Sequence, residues 1–234
     1  MRVRYLVLVF ALLGADAPKQ GGAISGKVVA VKDGKPVSRD DIYVYLAPIP
    51  NPKSTKLPGE GLAAQIVQRN VGGVREFFPK VLVVPVGTTV QFPNLERQDH
   101  NVFSRTDPIF DLGRYNYDKK GRSQKFDLAD EFDIFCDIHP TMWAKVKAVE
   151  SPYIAKVTGG AFTFSNIPAG KYKVVAWVRN SPEVRSGVIT LAAGGSVTLQ
   201  NDLHLQVKSR SGCHDRKDGV PYDPKYGKPC PADY

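Results

Sequence analysis

The chain is sparing with the side chains that bind metals and pass electrons: three Cys, four His and two Met among 234 residues. It has no Ser/His/Asp arrangement, no phosphate loop and no His-Glu-x-x-His helix, so the common hydrolase, nucleotide-hydrolysing and zinc-protease signatures are absent. Although the formal charge is +9, there is no arginine-rich block, no basic helix and no nucleic-acid motif, and nucleic-acid binding is not expected. Internal repeats, heptads and long amphipathic helices are missing as well, which excludes solenoids and coiled coils. The long apolar run is Tyr5 to Leu13, too short to span a bilayer.

That run follows Arg2 and Arg4 and precedes small residues, the layout of a secretory signal peptide over residues 1–17. Ala15-Asp16-Ala17 has the small-x-small form of a cleavage site. Pro18 directly after it is unfavourable, and cleavage after Ala15 also fits, so the bond stays open. No Cys follows the run, which argues against a lipid anchor. The expectation is an exported protein, periplasmic or extracellular, with no transmembrane anchor. Losing Arg2 and Arg4 takes the charge from +9 to +7 and leaves a surface that favours acidic partners.

With 21 Gly and 18 Pro punctuating short alternating segments, the chain reads as all-β. "AISGKVVAVKDGKPV" sets Ile24, Gly26, Val28 and Ala30 on one side before a turn at Asp33-Gly34, and "DDIYVYLAPIP" alternates Ile42, Val44 and Leu46 against Tyr43 and Tyr45. "NPKSTKLPGEG" looks like a linker. "FFPKVLVVPVGTTVQFPN" suits two strands with Gly87 at their turn, and a polar, Gly-containing excursion runs from Thr106 to Arg122. "SQKFDLADEFDIFCDIHPTMWAKVKAV" supplies two more strands, and from Tyr153 onward alternating strands and tight turns return. Neither end holds a complete domain. The simplest account is one β-sandwich made of residues 22–50 and 152–207 with another, residues 62–150, inserted in one of its loops, followed by a tail, 208–234.

Outside the cytoplasm cysteines pair, and three is an odd number. Cys213 and Cys230 bracket a tail segment rich in Pro, Gly and charge. A disulfide closing it would stabilise it by about 3 kcal/mol. Cys136 is then alone, and an unpaired thiol in an oxidising compartment is either deeply buried or held by a metal. It sits in "EFDIFCDIHPTMW", where Cys136, His139 and Met142 follow one another at three-residue intervals. Taken singly, they read as a core thiol, a surface imidazole and core filler; together those readings require three coincidences within seven residues.

Phe132, Ile134 and Cys136 share one face of a strand, so the thiol points inward at its end. Pro140 disfavours helix at His139, which makes the segment a loop able to bend three donors toward one point. A fourth donor is His100, at the end of another strand. One thiolate, two imidazoles and a distant thioether form the donor set of a blue-copper centre. Thiolate and soft sulfur favour copper(I), imidazoles suit copper(II), and zinc gains little from a thioether. His204 lies on the polar side of its strand, and His214 sits in the tail with no evident partner. That leaves no spare histidines for the second copper centre of a multicopper oxidase or nitrite reductase.

"FPKVLVVPVGTTVQFPN", "DHNVFS", "FDLGRY" and "FCDIHPTMWAKVKAV" resemble the plastocyanin/amicyanin-like cupredoxins, including secreted proteins of the methylamine-utilisation type. "AISGKVVAVKDGKPVSRDDIYVYLAP" and "GGAFTFSNIPAGKYKVVAW" resemble carboxypeptidase-regulatory-like, or transthyretin-like, modules. Together the resemblances run over about residues 22–205. They imply a Greek-key cupredoxin sandwich carried by a transthyretin-like one. His100, Cys136 and His139 would be equatorial copper ligands, Met142 the axial ligand, and Asn101 a residue tying the two ligand loops together. By the same analogy His139 would reach the surface through an apolar patch that includes Pro140 and Trp143. One departure is Asp130-Glu131, where such proteins usually carry a Pro-Gly-type turn. The tail from Lys208 to Tyr234 resembles nothing recognised.

The expected function is therefore that of an exported one-electron carrier with one type 1 copper, and not of an enzyme. Its partner would be a cytochrome, dehydrogenase or oxidase with an acidic docking surface. Copper delivery or sequestration without redox turnover uses the same donors and stays open, as does a surface-interaction role for the second sandwich and tail.

Overall fold

The computed structural model describes residues 21–49 and 56–208, and in the tail 214, 216–218, 220 and 222. The signal segment lies outside the described residues, as do Cys213 and Cys230 with the disulfide expected between them. The described residues form 20 strands and no helix, hence no helix long and apolar enough to cross a membrane. The strands assemble into four five-stranded sheets.

Two of these sheets are built from the flanking parts of the chain. Gly22–Lys32 buries Ile24, Gly26, Val28 and Ala30 in strict alternation, as its period of two dictates. It pairs antiparallel with Ala161–Ile167 and parallel with Ser196–Thr198 and Leu203–Gln206. In the facing sheet, Tyr43–Pro48 lies between Ile154–Lys156 and Gly170–Trp177. The inner faces meet in one cluster that includes Ile24, Leu46, Phe162, Val174 and Leu205.

The other two sheets come from the middle of the chain. One runs Phe110–Tyr115, His100–Ser104, Glu131–Phe135, Trp143–Val149 and Val81–Pro85 in spatial order. The other runs Asp118–Phe126, Thr88–Asn94, Val67–Val71 and Val74–Phe78, with Ala63–Gln65 also pairing on Thr88–Asn94. Gly87, at φ +97°, turns the chain between Val81–Pro85 and Thr88–Asn94, as the turn expected there requires. The core between these sheets includes Phe77, Phe92, Phe126, Phe132 and Ile134.

Two features differ from the sequence reading. The polar excursion from Thr106 to Arg122 contains the strand Phe110–Tyr115 and the start of Asp118–Phe126. An edge strand needs a backbone partner more than apolar side chains, and Phe110–Tyr115 finds one in His100–Ser104. The hairpin of Val67–Val71 and Val74–Phe78 was not anticipated. Its signal is Gly72-Gly73, both at positive φ, the two-residue turn that suits the twist of paired strands.

A third apolar cluster joins the two sandwiches: Tyr45, Val175 and Trp177 from the flanking one against Val81, Val83 and Val149 from the middle one. Polar ties frame it. Trp177 Nε1 donates to Glu131 Oε1 at 2.6 Å, Lys147 pairs with Glu183 at 3.0 Å, and the Tyr45 hydroxyl donates to Glu183 at 2.7 Å. The second face of Tyr43–Pro48 is thus covered by protein as well. Glu131, the departure noted at the Asp130-Glu131 turn, is one anchor of this seam.

Candidate metal centre

Strand pairing brings the donors together. Phe135 stands opposite Phe103 across the antiparallel pair of Glu131–Phe135 and His100–Ser104. Continued past the strand ends, that register sets position 100 beside the loop that starts at Cys136. Two backbone bonds close the loop: Met142 N–H donates to the His139 carbonyl at 3.1 Å, and Cys136 N–H to the Met142 carbonyl at 3.2 Å.

His100, Cys136 and Met142 are 0% exposed and His139 2%. His100 Nδ1 lies 3.2 Å from His139 Nδ1; Cys136 Sγ lies 3.9 Å from the first and 3.5 Å from the second. These three are a His/Cys/Asp/Glu group able to hold a metal ion among the described residues. An ion bonded at about 2.0 Å to each nitrogen and about 2.3 Å to the sulfur would see them at angles of about 105°, 110° and 130°, close to trigonal. The donors therefore fit a trigonal site of two histidines and one cysteine. Met142 is buried in the same cluster as Cys136.

The electrostatics suit a cation. Burial pulls the His100 pKa down against the opposing pull of Glu96, so its ring is neutral. His100 Nε2 sits 2.5 Å from Glu96 Oε2. A carboxylate only accepts, so that nitrogen carries the proton and the Nδ1 lone pair faces the centre. Burial first, then His100 and Arg75, lower the His139 pKa to about 3. Burial raises the Cys136 thiol pKa, while the backbone N–H groups of Asn101, Ile138 and His139 oppose it by pointing at the sulfur. Those donors prepare the place for a thiolate, and a bound cation would supply the charge that burial otherwise makes costly.

Asn101 bridges the two ligand segments, accepting from Asp137 N–H at 3.3 Å through Oδ1 and donating to Asp111 Oδ1 at 2.7 Å. The expected route of His139 to the surface is corrected. The ring is buried, Pro140 is buried and Trp143 half-buried, with Lys80 and Arg179 placed against the Trp143 ring. Gln98 Nε2 lies 3.3 Å from His139 Nε2, and Gln98 Oε1 accepts from Arg75 Nε at 2.7 Å. A polar cover thus stands where an apolar patch was expected.

His204 is exposed, as its place on the polar side of its strand implied. The expectation for His214 is overturned. It is 4% exposed and stacks on Phe135 at 4.3 Å, with Nε2 3.2 Å from the Met142 carbonyl and Nδ1 3.0 Å from the Tyr222 hydroxyl. Glu96 was missed although an acid four residues before a candidate ligand was a usable signal. Nothing local marked His214 or Tyr222.

No protein-family model and no curated protein matches the chain. Among solved structures, it is similar to a purple cupredoxin from Nitrosopumilus maritimus, 26% identical over 37% of this chain and 99% of that one, with a TM-score of 0.32. A variant of amicyanin in its Cu(I) form is 23% identical over 37% of this chain and 82% of its own, with a TM-score of 0.33. A pseudoazurin from Methylobacterium extorquens is 19% identical over 37% and 74%, with a TM-score of 0.31. Each of these matches spans just over a third of the chain.

Proposed function

We propose that His100, Cys136 and His139 bind one copper ion in a type 1 site, with Met142 as axial ligand, and that the protein is an exported one-electron carrier and not an enzyme. The observation that carries this reading is the convergence of two imidazole Nδ1 atoms and one thiol sulfur, all buried, within 3.9 Å of one another. Copper would supply a centre that gains and loses a single electron at such donors. The protein's own groups supply the rest. Glu96 holds the His100 tautomer, three backbone N–H groups steady the sulfur, and Asn101 links the ligand segments. A closed loop that excludes water limits rearrangement between the two oxidation states.

In this reading a cupredoxin-like unit, about residues 62–150, is carried in a loop of a transthyretin-like sandwich formed by 22–50 and 152–207. The partner is a cytochrome, dehydrogenase or oxidase with an acidic docking surface, matched to a chain whose net charge stays positive once Arg2 and Arg4 are lost with the signal segment. Export through the segment at 1–17 places the protein in the periplasm or outside the cell. Purified protein given copper(II) should turn intensely coloured through sulfur-to-copper charge transfer, and Cys136→Ala should abolish the colour. A colourless titration, or colour surviving Cys136→Ala, refutes the reading. Reversible voltammetry then separates carrying electrons from storing metal.

A further inference from the structure

The tail residues described lie against the ligand loop. The Tyr222 hydroxyl donates to the Cys136 carbonyl at 2.7 Å. His214 Nε2, 3.2 Å from the Met142 carbonyl, must carry a proton to meet that acceptor. The two side chains also touch each other, at 3.0 Å. Both are almost fully buried, and the His214 ring stacks on Phe135, the last residue of the strand that leads into the loop. One residue pair from the tail therefore grips the main chain of both sulfur-bearing residues.

Charged contacts seat the pair. Asp137, 2% exposed, accepts from Lys217 N–H at 3.2 Å and from Arg114 at 2.8 Å, with Arg216 Nε 3.7 Å away. Lys217 Nζ donates to Asp111 at 2.6 Å, the carboxylate that also accepts from Asn101. Arg105 donates to the Arg216 carbonyl. The tail is thus tied to both ligand segments, next to Cys136 and next to His100.

We propose that His214 and Tyr222 form a clasp that positions the Cys136–Met142 loop through its main chain, holding both sulfur-bearing residues in place. The proposal rests on the copper reading for its purpose, but the clasp itself acts on the metal-free chain. Two bonds to the main chain at the two ends of a short loop limit how far it opens, and opening is what exposes Cys136. Tyr222→Phe removes one hydroxyl and no bulk. His214→Ala removes the other bond and the stacking, whereas His214→Gln keeps an N–H donor for the Met142 carbonyl.

The test alkylates the metal-free, full-length protein and follows the peptide carrying Cys136 by mass spectrometry, alongside thermal unfolding. Tyr222→Phe should raise the alkylation rate about tenfold, the equivalent of one buried hydrogen bond. His214→Ala should raise it further and His214→Gln should restore part of the protection, all with the unfolding of the flanking sandwich unchanged. In copper-loaded protein the same variants should shift the charge-transfer band and speed loss of the ion. Alkylation rates within twofold of the parent for both Tyr222→Phe and His214→Ala overturn the clasp, whatever copper does. Faster alkylation in a chain that shows no copper colour upholds the clasp and removes the copper reading instead.

Discussion

The core of the flanking sandwich, from Ile24 to Val207, holds apolar side chains and one tyrosine, Tyr172. The middle sandwich and the tail against it bury Gln68, Asn94, His100, Asn101, Asp137, His139 and His214. Leaving a buried polar group unpaired costs about 1–3 kcal/mol, so groups of this kind persist where they are partnered or used. Some are plain ties. Gln68 Nε2 donates to the Phe92 carbonyl and contacts the Tyr115 hydroxyl, and Asn94 Nδ2 reaches the Gln98 and Tyr115 carbonyls. His100, Cys136 and His139 differ in turning their donor atoms toward one another. A buried polar residue marks a region worth attention; convergence of lone pairs marks a site. The two sandwiches divide the work accordingly, one supplying a hydrophobic body and the other a closed polar centre.

That division can be tested from its strongest consequence downward. Leu46→Ala, in the flanking core at 0% exposure, should lower stability by about 2–5 kcal/mol in denaturant titration and leave the copper spectrum unchanged. A spectral change would mean the sandwiches are coupled through their seam. Glu96→Gln should do the reverse, weakening copper affinity about 10- to 100-fold in competition titrations with little effect on metal-free stability, because it loosens the His100 tautomer. Unaltered affinity would reduce the Glu96 contact to decoration.

The gentlest test uses acid. Both site histidines have folded pKa values below the ordinary histidine range, His139 at about 3. The unfolded chain then binds more protons, so the stability they contribute is full above about pH 6.5 and falls as pH drops toward 3. Metal-free protein should show that slope in denaturation midpoints against pH. It should flatten in His139→Asn. Identical slopes in the parent and this variant would place the acid sensitivity elsewhere.

Much of this was legible from the residues. The alternation of Ile24, Gly26, Val28 and Ala30 and of Phe132, Ile134 and Cys136 predicted which faces turn inward, because a strand's side chains alternate by geometry alone. The hairpin at Gly72-Gly73 is equally legible, because two adjacent glycines supply the positive φ its turn requires. The polar strand Phe110–Tyr115 was not, since what holds it is a neighbour's backbone and not its own side chains. Tyr45 alternated as a strand residue should, but what covers it is the other sandwich. The cover over His139 depends on Gln98 and Arg75, which belong to other segments of the middle sandwich.

By itself the sequence determined the all-β character and the loop that places a thiol, an imidazole and a thioether at three-residue steps, with Pro140 keeping it from becoming helix. These are properties of near neighbours along the chain. Only the tertiary structure decided that His100, 36 positions from Cys136, would turn its Nδ1 to the sulfur, that Glu96 would hold its other nitrogen, and that His214 and Tyr222 would close over the loop from the tail. Those contacts depend on strand register and on chain segments meeting across space, which no local spacing encodes.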